Sequence, residues 1–126
     1  MGLRLQITTT MITEKTALVM LDGEVPACSD SAQLARQYYT SIQHFAEASV
    51  QLCEENKFRK LERFLVVACK LFKEGNQTVR NGIVNVYLYT LSRSIDLRPA
   101  AHKSIEPFMP RELRLEYARQ LYASGV

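Results

Sequence analysis

"GNQTVRNGIVNVYLYTL", residues Gly75 to Leu91, decides how the rest of the chain is read. Val79, Ile83, Val84, Val86, Tyr87, Leu88 and Leu91 put apolar side chains on nearly every side of a helix, the pattern of a central helix touched on several faces. Gly75 ends the preceding helix, and Asn76 or Thr78 starts this one, which runs to about Ile95. The polar exceptions are Asn81 and Asn85, four apart and so on one face. Gly82 sits beside them, where a missing side chain lets another backbone come close. On a central helix such amides are expected to hydrogen-bond to a neighbouring loop or helix end. Asn81 and Asn85 are therefore read as a structural polar stripe ahead of a ligand or partner contact.

Upstream, Phe58, Leu61, Leu65, Ala68 and Phe72 recur at helical spacing, with Phe64, Val67 and Leu71 widening the stripe. Arg59, Lys60, Arg63, Lys70 and Lys73 take much of the remaining surface of that third helix. Before it, Ala35, Tyr38, Ile42, Phe45, Ser49 and Leu52 mark one face of a second helix of roughly 24 residues, about 36 Å long. Ser29 or Asp30 caps its start, and the pattern breaks at "EENK". A first short helix runs from the cap Thr13 through Leu21, with Gly23 ending it before Pro26.

Downstream, "RPAAHKSIEPFMP" holds three prolines and allows one short helix at most, between Pro99 and Glu106. Pro110 opens a last helix in which Leu113, Tyr117 and Leu121, with Ala118 and Tyr122 alongside, face inward until Gly125. Leu3, Leu5 and Ile7 alternate with polar residues, yet no second strand exists to receive them. Residues 1–10 are read as a disordered extension, with Met11 a second candidate start. The expected fold is all-α: a compact bundle of five or six helices with short connectors, one domain over residues 11–126. At 126 residues the chain can bury a core without a disulfide or a metal.

The formal charge is only +3, but it is unevenly spread. From Met11 to Asn56 two basic residues face seven acidic ones, a net of −5; from Lys57 onward thirteen basic residues face six acidic ones, a net of +7. Such asymmetry suits complementary halves folding on each other, the basic third helix pairing with the acidic second, or a basic face meeting an acidic partner. Cys28, Cys53 and Cys69 are odd in number and without CxxC spacing, which fits a reducing compartment. The first ten residues lack a signal-peptide apolar run, no stretch approaches a membrane span of roughly 20 apolar residues, and Gln6 breaks the myristoylation pattern. The expectation is a cytoplasmic protein with no membrane association, in which the sequon "NQT" at Asn76 to Thr78 is coincidental.

Motifs of chemistry are weak. His44 and Glu47 lie three apart, but in the reverse order of the Glu-x-x-His pair of dinuclear bundles, and His102 is the only other imidazole. Cys28 lies near Ser29 and Asp30 without a positioned base. Neither is read as a site, so no catalytic residue, metal or cofactor is expected. Lys57, Arg59, Lys60, Arg63 and Arg80 form a candidate phosphate-binding set, although no helix-turn-helix, zinc-finger or RNP signature accompanies them. Arg111, Arg114, Tyr117, Arg119 and Tyr122 on the last helix are the candidates for a protein contact surface, because Arg and Tyr dominate interface energetics.

Two stretches carry a resemblance: Gly75, Asn76, Val79 and Asn81 match "G-[ND]-x-x-V-x-N", and Pro110, Leu113, Tyr117 and Gln120 match "P-x-x-L-x-x-x-Y-x-x-Q". Together they resemble an uncharacterised family of small helical bacterial proteins, a domain of unknown function, over roughly the C-terminal half. The resemblance implies bacterial origin and an all-helical domain, and no catalytic residue. The expected function is a noncatalytic protein-interaction domain, a binding or neutralising partner of another protein, with self-association through the last helix possible. Nucleic-acid binding through the third helix is the alternative.

Overall fold

In the computed structural model the described residues are 11–27, 30–96 and 109–123. Five helices are formed among them, joined by short connectors into a compact all-α bundle. Helix α1 is Glu14–Asp22, α2 is Ser31–Glu54 and α3 is Phe58–Glu74. Helix α4 is built from α-helical Gln77–Gly82, π-helical Ile83–Tyr87 and α-helical Leu88–Asp96, and α5 is Arg111–Ala123. The expected extension over residues 1–10, the short helix between Pro99 and Glu106, Cys28 and Ser29 lie outside the described residues.

Three helices, α1, α2 and α4, begin at a side-chain cap. Thr13 Oγ1 accepts from Thr16 N–H at 3.3 Å, Asp30 Oδ2 from Gln33 N–H at 3.3 Å, and Asn76 Oδ1 from Val79 N–H at 3.0 Å. Helix α1 ends at Gly23, whose φ of 77° is the left-handed conformation of a C-terminal cap. Helix α2 ends in a Schellman turn: Lys57 N–H bonds Leu52 O at 2.9 Å and Asn56 N–H bonds Cys53 O at 3.1 Å. Asn56 takes the left-handed position, φ 58°, which asparagine tolerates.

Helix α3 ends differently. Gly75 is extended, and the chain there bridges to Ile12: Ile12 N–H donates to Glu74 O at 2.8 Å, and Asn76 N–H donates to Ile12 O at 2.9 Å. Asn76 Nδ2 adds a bond to Glu14 Oε1 at 2.7 Å, so one asparagine caps α4 and ties the start of α1 to it. A Cβ on Gly75 would stand 2.3 Å from Leu71 O and 2.4 Å from Val79 Cγ1; only glycine fits this junction.

The central position expected for α4 is what the structure has, because it packs against each of the other four helices. Its π-helical stretch was not legible in the sequence. Residues four apart drift about 40° around an ordinary α-helix. The wider π turn, marked by Leu88 N–H bonding Ile83 O, reduces that drift and keeps Val79, Ile83, Tyr87 and Leu91 on the core side. Tyr38, Ile42 and Ala46 of α2, Leu61, Leu65 and Ala68 of α3, and Leu113 of α5 complete the core around them. Among the described residues no helix is long and apolar enough to cross a membrane.

Candidate interaction surfaces

Neither amide of α4 is buried, and this corrects the expectation that they bond into a neighbouring helix end. Asn85 is exposed, and Asn81 accepts from Gln77 Nε2 at 2.8 Å, one turn back on the same helix. The physical reason is angular: Asn81 and Asn85 each follow a buried residue, Val79 and Ile83, by two positions, about 200° round a helix, which carries them off the core face and leaves Asn85 exposed and Asn81 half-buried. Arg93 stacks over the Tyr89 ring at 5.6 Å. Gly82 has a different purpose from its neighbours. The Tyr38 ring is what comes closest to it, and a Cβ would sit 2.5 Å from Tyr38 Cε2.

Polar groups inside the bundle are closed on themselves. Tyr38 O–H donates to Val79 O at 2.7 Å. Ser49 O–H donates to Phe45 O at 3.0 Å, which leaves Tyr87 O–H, 2.9 Å away, to donate to Ser49 Oγ. Burial pushes both phenols well above their ordinary range, with nearby Tyr39 and Glu14 adding to the effect at Tyr38. Among the described residues no buried side-chain nitrogen or oxygen lacks a partner. Cys69 is buried, its thiol facing Glu112 Oε1 at 3.7 Å, and burial followed by that carboxylate raises its pKa. His44 and Glu47 are both exposed, with the Glu47 carboxylate bonded by Gln43 Nε2 at 3.1 Å.

The basic set of α3 divides. Arg59, Lys60, Arg63 and Lys70 are exposed along the helix, with Val66, 55 % exposed, among them. Lys57 pairs with Glu55 at 3.1 Å inside the turn. Arg80 leaves the set: its guanidinium lies 4.6 Å over the Phe72 ring and donates to Phe72 O at 2.8 Å, a half-buried contact that locks the α3–α4 corner. Lys73 pairs with Glu112 of α5 at 3.6 Å, so this end of α3 finds its counter-charge on the last helix and not on the acidic α2.

On α5, Arg111, Arg114 and Arg119 are exposed, and Arg119 forks onto Glu116 one turn back. Tyr117 is 4 % exposed and belongs to the core, so it drops out of the contact surface; its spacing from Leu113 places it on the buried stripe. The Tyr122 side chain lies outside the described residues. The sequence reading missed Leu115, which is 60 % exposed and stands off the Leu113–Tyr117 stripe, four residues from both Arg111 and Arg119. Its spacing was the available signal.

The second surface feature is a groove of about 210 Å³ between the end of α2 and the start of α3. Ala48, Gln51, Leu52, Glu55, Lys60 and Phe64 line it. Phe64 is stacked on Phe45 with centroids 4.6 Å apart and rings 3° from parallel, which fixes the wall it offers. Among the described residues no group of three or more His, Cys, Asp or Glu side chains is placed to hold a metal.

A family model described as "Domain of unknown function (DUF7674)" matches residues 20–123. The chain belongs to the DUF7674 family. The match covers α2 to α5 and most of the chain, so the likeness seen in the C-terminal half extends into the N-terminal half. No curated protein and no solved structure matches the chain. The residues that carried the resemblance have structural work in this DUF7674 domain. Gly75 and Asn76 make the junction with Ile12 and Glu14, Val79 carries the carbonyl that takes Tyr38, and Leu113 and Tyr117 are core.

Proposed function

We propose that the domain works by protein contact and without catalysis, as a binding or neutralising partner of another protein, with α5 as its contact surface. The observation that carries this reading is Leu115, a large apolar side chain 60 % exposed with the exposed Arg111, Arg114 and Arg119 around it. An apolar centre bordered by arginines has the composition of an interface core and its rim. The buried thiols Cys53 and Cys69 suit a reducing, cytoplasmic setting, and the family resemblance suits bacterial origin.

Replacing Arg114 with Glu and Leu115 with Ser leaves the core untouched and is expected to abolish partner capture, read by pull-down with the folded state checked by circular dichroism. Unchanged capture by this double variant rejects the surface. A two-fold contact through Leu115 is the homodimeric form of the same reading; light scattering would show twice the chain mass, lost in the variant.

A second reading rests on the exposed cations Arg59, Lys60, Arg63 and Lys70 in one helix, which suit a phosphate backbone. It requires an affinity for mixed DNA or RNA that falls steeply with salt. Salt-independent or absent binding removes it.

A further inference from the structure

The groove between α2 and α3 combines three properties: a fixed aromatic wall, an apolar floor and an adjoining row of cations. Its volume of about 210 Å³ is below the roughly 300–1,000 Å³ of pockets that enclose whole small ligands. It matches one inserted side chain. Leu52 and Phe64 supply the apolar contact, and Ala48 is the smallest side chain of the lining.

The rim is asymmetric. On the α2 side Glu55 accepts from Gln51 Nε2 at 3.0 Å and pairs with Lys57, contacts that hold its carboxyl below the usual carboxylate range and keep it charged. On the α3 side Lys60 lines the groove, and the exposed Arg59 and Arg63 follow on the adjoining surface. Glu55 is compensated by Lys57, so a partner carboxylate is drawn to the second rim. We infer that this groove docks an acidic segment of a partner protein, which inserts one apolar anchor between Leu52 and Phe64 and lays its carboxylates along Lys60, Arg63 and Arg59. The inference rests on the interaction-domain reading but not on the α5 surface. It adds a second contact site and gives its partner a chemistry.

The mode is that of a single buried anchor with charged flanks, in which truncation of the anchor removes most of the affinity. Specificity then has two parts. The anchor sets the position, and the carboxylates set the direction of the segment by following Lys60, Arg63 and Arg59.

The test is fluorescence anisotropy of the full chain with a labelled twelve-residue peptide carrying one central Phe among Asp and Glu residues. The same peptide with Phe replaced by Ser, and a single-stranded DNA of equal length, serve as comparisons. The expected result is saturable binding of the Phe peptide, weakened about tenfold or more by loss of the anchor. Ala48→Phe, which fills the opening, and Lys60→Glu, which reverses the rim charge, are expected to weaken it similarly. Both sites are at the surface, and thermal melts confirm the fold. Leu115→Ser is expected to leave this binding unchanged. Equal binding of the Phe and Ser peptides, indifference to Ala48→Phe, or binding of the DNA alone overturns the inference. Loss of peptide binding in Leu115→Ser but not in Ala48→Phe also overturns it, while leaving the α5 surface standing.

Discussion

Gly82→Ala is the substitution on which helix propensity and tertiary packing disagree about the sign. Within a helix, Gly to Ala is ordinarily worth about 1 kcal/mol of added stability. Here the new methyl carbon stands 2.5 Å from Tyr38 Cε2 and 3.0 Å from both Cζ and the phenolic oxygen, against the roughly 3.5–4.0 Å of an ordinary carbon contact. The Tyr38 ring must therefore retreat by about 1 Å at its closest atom, taken against that contact distance. That retreat is resisted, because the ring is fully buried and tethered to Val79 O at 2.7 Å.

Overpacking of this kind costs about 1–3 kcal/mol. Bending or losing the tether adds about 0.5–1.5 kcal/mol. Set against the propensity gain, the net result is destabilisation of about 1–3 kcal/mol, a fall in Tm of roughly 5–10 °C for a chain of this length. Urea unfolding followed at 222 nm measures it. The cause is isolated by repeating the change in a Tyr38→Leu background, where the ring is gone and Gly82→Ala should turn neutral or stabilising. A Gly82→Ala protein at least as stable as the parent refutes the reasoning, for it would mean that the ring moves freely and that propensity alone sets the outcome.

The buried phenols predict an alkaline limit to stability. Tyr38 and Tyr87 have folded pKa values raised above the unfolded value of about 10, so the stability held by their neutral forms is complete below that value and is lost as pH rises beyond it. Titration at 295 nm together with circular dichroism should show these tyrosines ionising only as the helices melt, and a Tyr87→Phe protein should lose part of the pH dependence. Asn76→Asp keeps the cap on Val79 N–H but sets a second carboxylate where Glu14 now accepts from Nδ2 at 2.7 Å. A loss of about 1–2 kcal/mol at neutral pH is expected, shrinking at high salt; a salt-independent loss would assign the effect to the cap instead.

How far the sequence reaches can be seen residue by residue. Thr13, Asp30, Asn76 and Pro110 marked helix starts because a cap or a first-turn proline is a local property, and the apolar stripes of α2 and α3 follow directly from spacing. The all-α bundle was legible for the same reason. Tyr117 was legible as core from its distance to Leu113, and was misplaced on the contact surface only because its residue type suits interfaces. What could not be read depends on atoms far apart in the chain. Gly82 needs its form because of Tyr38 on another helix, Arg80 is withdrawn from the basic ridge by Phe72, and the Ile12–Gly75 bridge joins two segments separated by α1, α2 and α3. The π stretch in α4 was not legible either, whereas the outward side of Asn81 and Asn85 follows from their two-residue offset from Val79 and Ile83.

The groove and Leu115 are informative for the opposite reason: neither is explained by the needs of the fold. A single exposed apolar residue is ordinary on a protein surface, so the proposed contacts rest on what surrounds each feature: Arg111, Arg114 and Arg119 near Leu115, and Lys60 beside the Phe64 wall.

The most direct measurement is quantitative capture from the cells of origin with three baits, the parent chain, Arg114→Glu with Leu115→Ser, and Ala48→Phe, each after nuclease treatment and read by mass spectrometry. The account predicts a protein held stoichiometrically by the parent, resistant to nuclease, and lost from the α5 variant. Recovery of the same proteins by the parent and α5 baits, or of material that vanishes with nuclease, would contradict it.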